Sequence, residues 1–248
     1  MSRRAKILLG AGAAAVVVVA AGVGLWLWLR DDAPPPVSLD EAVESAEGDE
    51  GTEGTGSDAD LDGVWTVDTA VGDPADVATG SFVGYRVDEE LLGIGVNTAV
   101  GRTPAVTGTL TVEGTSATAV DVEADLTQLA SDDDRRDGRM RTQGLETDPF
   151  PTATFSLTDP LDFGDVPEDG TPLQVTAAGE LTIHGTTRPV EIDLEAQIVD
   201  DVIVVVGSLP ITFDDYGIPE PTSPIVVSIA DSGVMELQLF FARSEPES

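Results

Sequence analysis

The sequence predicts an all-β domain whose strands close as an antiparallel barrel or sandwich, preceded by one N-terminal transmembrane helix. Two observations predict the domain: apolar and polar residues alternate with period two in many segments beyond residue 61, and short polar or glycine-containing links separate those segments. A third observation, an uncharged apolar stretch near the start of the chain, predicts the helix.

Residues 7–29, ILLGAGAAAVVVVAAGVGLWLWL, contain no charged residue, and their length exceeds the ~20 residues that span a bilayer. Arg3, Arg4 and Lys6 precede them, which by the positive-inside rule places residues 1–30 as a cytoplasmic tip with a membrane anchor and the rest of the chain outside. The alternative is a cleaved signal peptide, but its apolar region would run only about 7–15 residues and end at a small-residue site. An uncleaved single-pass anchor in the cell membrane is therefore favoured.

Residues 31–60 are predicted to be a disordered acidic linker. They contain eleven acidic residues, no basic residue and three consecutive prolines, a composition that buries too little apolar surface to fold. Only residues 38–48, SLDEAVESAEG, have a weak helical tendency.

Beyond Leu61 the alternation is regular. The clearest case is VDVEADLT, residues 120–127, where Val, Val, Ala and Leu alternate with Asp, Glu, Asp and Thr. Residues 184–188, HGTTR, form a short glycine-containing link typical of a hairpin turn. We expect eight to ten strands, near residues 64–68, 81–88, 105–113, 118–127, 152–158, 172–183, 189–199, 202–213, 224–230 and 234–242.

Composition excludes several functions. The formal charge is −34, which disfavours nucleic acid as a partner because phosphates are repelled. The chain has no cysteine and one histidine, His184, so disulfides, thiolate nucleophiles and common zinc sites are excluded. Asp132, Asp133 and Asp134 lack the spacing of a calcium loop, and no Ser-His-Asp arrangement is evident. We therefore predict that the chain is not an enzyme and has no metal or cofactor.

Residues 135–141, RRDGRMR, stand out because they hold four arginines in an acidic domain. The three aspartates before them are suited to cap a short helix, and Asp148-Pro149-Phe150-Pro151 after them requires an extended exit. Two interpretations stay open at this point. The arginines form a solvated helix face paired with neighbouring aspartates, or Arg136 or Arg141 is fixed by an internal carboxylate and closes the barrel mouth or contacts a ligand oxygen.

Five segments resemble the YceI-like family of polyisoprenoid-binding proteins, over about residues 61–243. They are WTVD at 65–68, RDGRMR at 136–141, FPTATF at 150–155, GELTIHGTTR at 179–188 and FDDYGI at 213–218. The resemblance implies an eight-stranded, lipocalin-like antiparallel barrel that encloses a long isoprenoid chain in an exported bacterial protein. The chain departs from the family in the histidine-free insertion Thr69 to Gly80 and at Arg139, where the family often has histidine; both are expected near the polar end of the ligand.

The resulting hypothesis is a membrane-anchored, extracytoplasmic carrier for an isoprenoid lipid of polyprenyl or quinone type, held in a barrel at 61–244 with a tail at 245–248. The alternative is a filled barrel that serves as an envelope interaction or stress-protection module. The scarcity of aromatic residues and the small inward residues favour a cavity. Besides the lipid and the membrane, the sequence leaves room for a homodimer. The predicted ligand-binding residues are Phe82, Tyr85, Leu92, Ile94, Arg136, Met140, Arg141, Leu145, Phe150, Phe155, Phe213 and Tyr216.

Overall fold

The computed structural model describes residues 33–47, 61–73, 75–167, 170–199 and 201–244. In these residues thirteen strands form one antiparallel sheet. Helix α1 is Leu39–Glu47 and helix α2 is Asp134–Arg139. The strands are β1 Gly63–Val67, β2 Phe82–Leu91, β3 Gly95–Thr103, β4 Val106–Glu113, β5 Ser116–Asp125, β6 Ala130–Ser131, β7 Thr152–Leu157, β8 Leu161–Asp162, β9 Leu173–Ile183, β10 Thr186–Val199, β11 Val202–Thr212, β12 Val226–Ile229 and β13 Ser232–Arg243.

Eight strands close into a barrel in the order β1-β4-β5-β7-β9-β10-β11-β13, because β1 also pairs with β13. The predicted all-β, eight-stranded antiparallel barrel is thereby confirmed. One edge of β13 has two partners: β1 pairs opposite its end, Phe241–Arg243, and β2 pairs opposite its beginning, Val234–Gln238. Strands β2, β3 and β6 thus continue the wall beyond the point where β1 ends.

The strand predictions are confirmed for most of the barrel, and β9 and β10 form the predicted hairpin. His184 and Gly185 have positive φ values of 51° and 70°, as a two-residue type I′ turn requires. Strand β3 was not predicted, since its sequence GVNTAVGRT lacks regular alternation and includes two glycines. Which β3 residues point inward is determined by the pairing of β3 with β2 and not by a pattern in its own sequence.

The outer face of the barrel carries a buried apolar patch on β11 and β13. There Val204, Val206 and Phe240 point outward and are buried against α1, whose residues Leu39 and Ala42 contact them. The structure therefore differs from the predicted disordered linker over residues 33–47. The physical reason is that Leu39, Ala42, Val43 and Ala46 lie on one helical face and cover an apolar part of the barrel.

The segment before α1 is also bonded to the barrel. Arg86 donates from Nη1 to the Pro34 carbonyl, 2.7 Å away, and Arg102 donates to the Pro35 carbonyl at 3.4 Å. Beneath them lies the buried carboxylate of Glu236, 3.2 Å from Arg86 Nε and 3.9 Å from Arg102 Nη2. These contacts fix the chain to one position on the outer face of β2 and β3.

Within the described ranges no helix is both long and apolar enough to cross a membrane. The predicted anchor at 7–29, the linker part 48–60 and the tail 245–248 lie outside those ranges.

We predict that Leu39→Ala lowers the free energy of unfolding by about 2 kcal/mol, because it removes a buried side chain from the contact between α1 and the barrel. Urea unfolding of the full chain in a mild detergent measures this. Glu44→Ala, on the exposed side of the same helix, is the control. Equal unfolding curves for both variants would contradict the role of α1 as a cover.

Candidate functional site

The barrel interior holds two apolar cavities. The first, here called the inner cavity, has a volume of about 160 Å³. Among its thirty lining residues only Thr154 and Gln197 are polar. Small inward side chains such as Ala117, Ala124 and Ala177 leave this space open. An interior of this kind is suited to a hydrocarbon chain and offers very little to a polar ligand.

The second, here called the mouth cavity, also has a volume of about 160 Å³. It lies at the end of the barrel where β2 meets α2, and its apolar wall includes Tyr85, Met140 and Phe213. Its polar lining includes Glu89, Asp133, Arg136, Arg139 and Glu220. One end of the barrel therefore has charge at its opening.

The two cavities share the lining residues Val83, Ala153 and Met235. These side chains lie between an apolar interior and a mouth with polar groups. The arrangement matches an amphiphile with a long tail and one polar end.

Two aromatic walls are positioned by glycines on neighbouring strands. A Cβ at Gly101 would lie 2.5 Å from the Tyr85 ring, and one at Gly179 would lie 2.4 Å from the Phe155 ring. Glycine is therefore required at both positions for the rings to lie where they do. Burial raises the pKa of Tyr85 far above its ordinary value, although the charge of Arg136 opposes this. Its hydroxyl is a neutral donor at physiological pH.

Helix α2 is attached to the barrel through two aspartates. Asp133 is its N-cap and accepts a hydrogen bond from the Arg135 amide at 2.8 Å, which lowers the pKa of Asp133. The buried Asp137 accepts from both the amide and the hydroxyl of Ser131, at 3.0 and 2.6 Å. Because Ser131 belongs to β6, these bonds fix α2 against the sheet. The predicted capping role of the aspartate run is confirmed for Asp133.

Arg136 is held by carboxylates on both sides. Its Nη2 donates to Glu89 Oε1 at 2.9 Å, and its Nη1 bonds to Asp132 and, at 3.3 Å, to Ser131 Oγ. Burial alone would lower the pKa of Arg136, but the hydrogen bonds and charges of Glu89 and Asp132 outweigh it and raise the pKa. Arg136 thus has the neighbouring aspartate of the first interpretation and the internal carboxylate of the second, whereas its contact with a ligand oxygen stays a prediction.

Of the predicted ligand-binding residues, six line a cavity. Phe155 lines the inner cavity, and the mouth cavity is lined by Tyr85, Arg136, Met140, Leu145 and Phe213.

The other six line neither cavity. Phe82 has the opposite strand parity to Val83 and Tyr85, so it lies on the outer face, buried with the Arg102 guanidinium 4.3 Å from its ring centroid. Arg141 is exposed. Leu92 and Ile94 are exposed in the link between β2 and β3. Phe150 packs on His184, 4.2 Å between ring centroids, and Tyr216 is buried in the core.

Several residues that line the mouth cavity were not predicted from the sequence. Val87, Glu89 and Leu91 follow Tyr85 along β2 at every second position and line the mouth cavity. The available signal in the sequence was Glu89, an acidic residue at an inward position of β2, which indicates a basic partner such as Arg136. Arg139, which occupies the position where a histidine is common in the family, also lines the mouth.

The insertion Thr69 to Gly80 does not lie at the mouth, contrary to expectation. Gln238, on the outer face of β13, donates to the carbonyls of Ala78 and Gly80 at 3.0 and 2.9 Å, and Ser81 Oγ donates to the Asp68 carbonyl at 2.7 Å. The segment therefore covers the outside of the barrel.

Other motif residues tie loops together at the mouth end. His184 Nε2 lies 2.9 Å from Glu146 Oε2, and Arg188 Nη2 lies 3.0 Å from Asp215 Oδ1. Nowhere in the described ranges do three or more His, Asp or Glu side chains form a group suited to a metal ion.

We predict that Asp133→Ala lowers the free energy of unfolding by about 1 kcal/mol at neutral pH, because the cap of α2 is lost. The folded-state pKa of Asp133 lies below its unfolded value, so the carboxylate stabilises the fold above about pH 4 and loses that effect as the pH falls through the folded pKa. The difference between the wild type and Asp133→Ala should therefore shrink at acid pH.

Urea unfolding at several pH values measures this difference. Asp134→Ala is the matched control, because Asp134 lies in the first turn of the same helix without being its cap. A pH-independent difference, or the same loss in both variants, would contradict the capping role.

The comparisons with known proteins agree with this fold. The chain is similar in fold to a polyisoprenoid-binding domain from Saccharophagus degradans implicated in plant cell wall breakdown, with a TM-score of 0.53 and 18% identity over 73% of this chain and 98% of that one. It is also similar in fold to BcnA of Burkholderia cenocepacia, with a TM-score of 0.50 and 17% identity over 66% of this chain and 98% of that one. At these identities the similarity shows the fold alone. None of the curated proteins matches the chain.

The family model for the YceI-like domain matches residues 65–241, which is most of the chain and nearly all of the barrel. Of the residues that carry the resemblance in sequence, Arg136, His184, Arg188 and Asp215 form their ion pairs around the mouth end, whereas Trp65 lies on β1 opposite the end of β13. The chain belongs to the YceI-like family.

Proposed function

We propose that the chain is a membrane-anchored, extracytoplasmic protein that binds a long isoprenoid lipid, of polyprenyl or quinone type, and carries it without chemical change. The observation that carries the proposal is the inner cavity, whose lining is apolar apart from two side chains. Such a lining stabilises a bound hydrocarbon by about 0.8 kcal/mol for each buried CH₂ group. The same cavity disfavours the alternative of a filled barrel that acts as an interaction or stress-protection module.

The polar end of the lipid would lie in the mouth cavity. Arg136 is already bonded to Glu89 and Asp132, so it is a rigid part of the rim rather than a mobile cation. Arg139 also lines this cavity and forms no ion pair with a carboxylate among the described residues. A phosphate or a quinone oxygen would meet this guanidinium and the neutral Tyr85 hydroxyl.

Family and fold support the substrate class. The chain belongs to the YceI-like family, and one protein of similar fold is described as a polyisoprenoid-binding domain. The anchor rests on the uncharged segment 7–29 and the basic residues before it.

The direct test uses the full chain purified in detergent. Mass spectrometry of an organic extract should detect a polyprenyl or quinone lipid, and a fluorescent prenyl probe should bind with displacement by ubiquinone or decaprenyl phosphate. An empty extract together with absent probe binding would refute the proposal.

We predict that Ala177→Phe weakens probe binding at least tenfold, because the ring would occupy the inner cavity that Ala177 lines. Ala178→Phe is the matched control: it is the next residue of β9, it lines neither cavity, and its side chain points to the other face. Circular dichroism checks that both variants fold. Equal binding by both folded variants would mean that the tail lies elsewhere.

A further inference from the structure

Five exposed apolar side chains lie together beside the mouth cavity. They belong to the link between β2 and β3, to the start of β3 and to the segment around β12, and are here called the apolar rim. Their exposed fractions are 69% for Leu92, 54% for Ile94, 77% for Val96, 45% for Ile225 and 57% for Val227. The other large hydrophobic residues with comparable exposure in the described chain, Val64 and Val166, lie apart from them in sequence. A cluster of this kind, unlike scattered exposed residues, indicates a contact surface.

The apolar rim is continuous with the cavity opening. The Leu92 amide donates to the Ile225 carbonyl at 2.8 Å. Strand β12 pairs with β2, with Val226 opposite Leu91. Ile225 itself lines the mouth cavity. A molecule that leaves the cavity past Ile225 would therefore meet the rim before it meets open solvent.

The path of the N-terminal chain indicates what covers the rim. Pro34 is bonded to Arg86 on β2, and the chain then runs to α1, which packs on Val204 and Phe240, farther from the rim. Pro34 is thus attached to the strand whose other end, Leu91, adjoins the rim, and the uncharged segment 7–29 precedes it in the sequence. Five residue steps separate Pro34 from Leu29, the end of the uncharged segment, and extended chain spans about 17 Å over that length.

The rim lies within the same reach. Arg86 and Leu91 are five residues apart on β2, about 17 Å along the strand. In the opposite direction, β13 continues for nine residues from Val234, which pairs with Arg86, to Arg243, about 30 Å. A membrane that holds residues 7–29 can therefore touch the rim, whereas the far end of the barrel is out of reach.

We propose that the apolar rim docks on the lipid bilayer that holds the N-terminal segment, so that the mouth cavity opens directly to the membrane. This inference rests on the proposed function for its purpose, the entry and exit of a membrane lipid. Asp88, Glu90 and Glu220 are exposed beside the rim, so contact is made by apolar insertion and not by attraction to anionic headgroups. We therefore expect the rim to bind a lipid surface that is neutral or weakly charged.

The absence of cysteine permits a direct test with single-cysteine variants of the full chain. Leu92→Cys and Val227→Cys carry an environment-sensitive fluorophore, and Val166→Cys, an exposed position next to the inner-cavity residue Pro167, is the control. Each is reconstituted in phosphatidylcholine vesicles that contain a quencher on the acyl chains. We expect a blue shift and several-fold stronger quenching at the first two positions than at the control, unchanged at high salt.

Equal quenching at all three positions, or none at any, overturns the proposal. A dimer in detergent that the double variant Val96→Ser, Val227→Ser dissociates also overturns it, because the rim would then bind a second copy of the chain. The label measurement needs no bound isoprenoid, so it is independent of the proposed ligand. If the rim docks on the bilayer, the double variant should bind as much prenyl probe in detergent as the wild type but transfer it between vesicles about tenfold more slowly. If the wild type itself binds no probe, that result contradicts the proposed function and not the docking.

Discussion

Strand β13 determines the shape of the molecule because one of its edges has two partners. Near its end it pairs with β1, which closes the eight-stranded barrel around the inner cavity. Near its beginning it pairs with β2, and the wall then continues through β3 and β6 instead of returning to β4. The wall is therefore closed by eight strands at one end and widened by additional strands at the other, where α2 packs against β6. The position of the mouth follows from this division of backbone hydrogen bonds.

The same strand explains how a very acidic chain uses its few basic residues. Glu236 on β13 is buried between Arg86 and Arg102, and Glu89 on β2 is buried beside Arg136. An unpaired buried carboxylate would cost several kcal/mol, so these guanidiniums are needed for the fold whatever else they bind. One pair fixes the N-terminal chain on the outside of the wall, and the other fixes the rim of the mouth.

Much of the fold could be predicted from the sequence, and less of the site. Period-two alternation identified most strands, since each has one apolar and one wet face. The alternation did not identify β3. Helix α1 was predicted to be part of the linker, because its apolar face is buried only through contact with the outward-pointing Val204 and Val206. The continuous apolar run VIVVV, residues 202–206, was the available signal that β11 is covered on both faces. Phe82 was predicted to contact the ligand because of its size and its position near a motif loop, whereas its strand parity relative to Tyr85 indicates the outer face of the barrel.

The outer and inner features of the wall are connected through β2. Its outward Arg86 holds the chain that leads to the uncharged N-terminal segment, while its inward Tyr85 and Glu89 line the mouth. Because adjacent residues of a strand point to opposite faces, the attachment point and the cavity opening stay in a fixed relation. A lipid that moves between a bilayer and an apolar cavity avoids water only if the opening faces the bilayer. In this barrel β2 both lines the opening and binds the chain at Pro34.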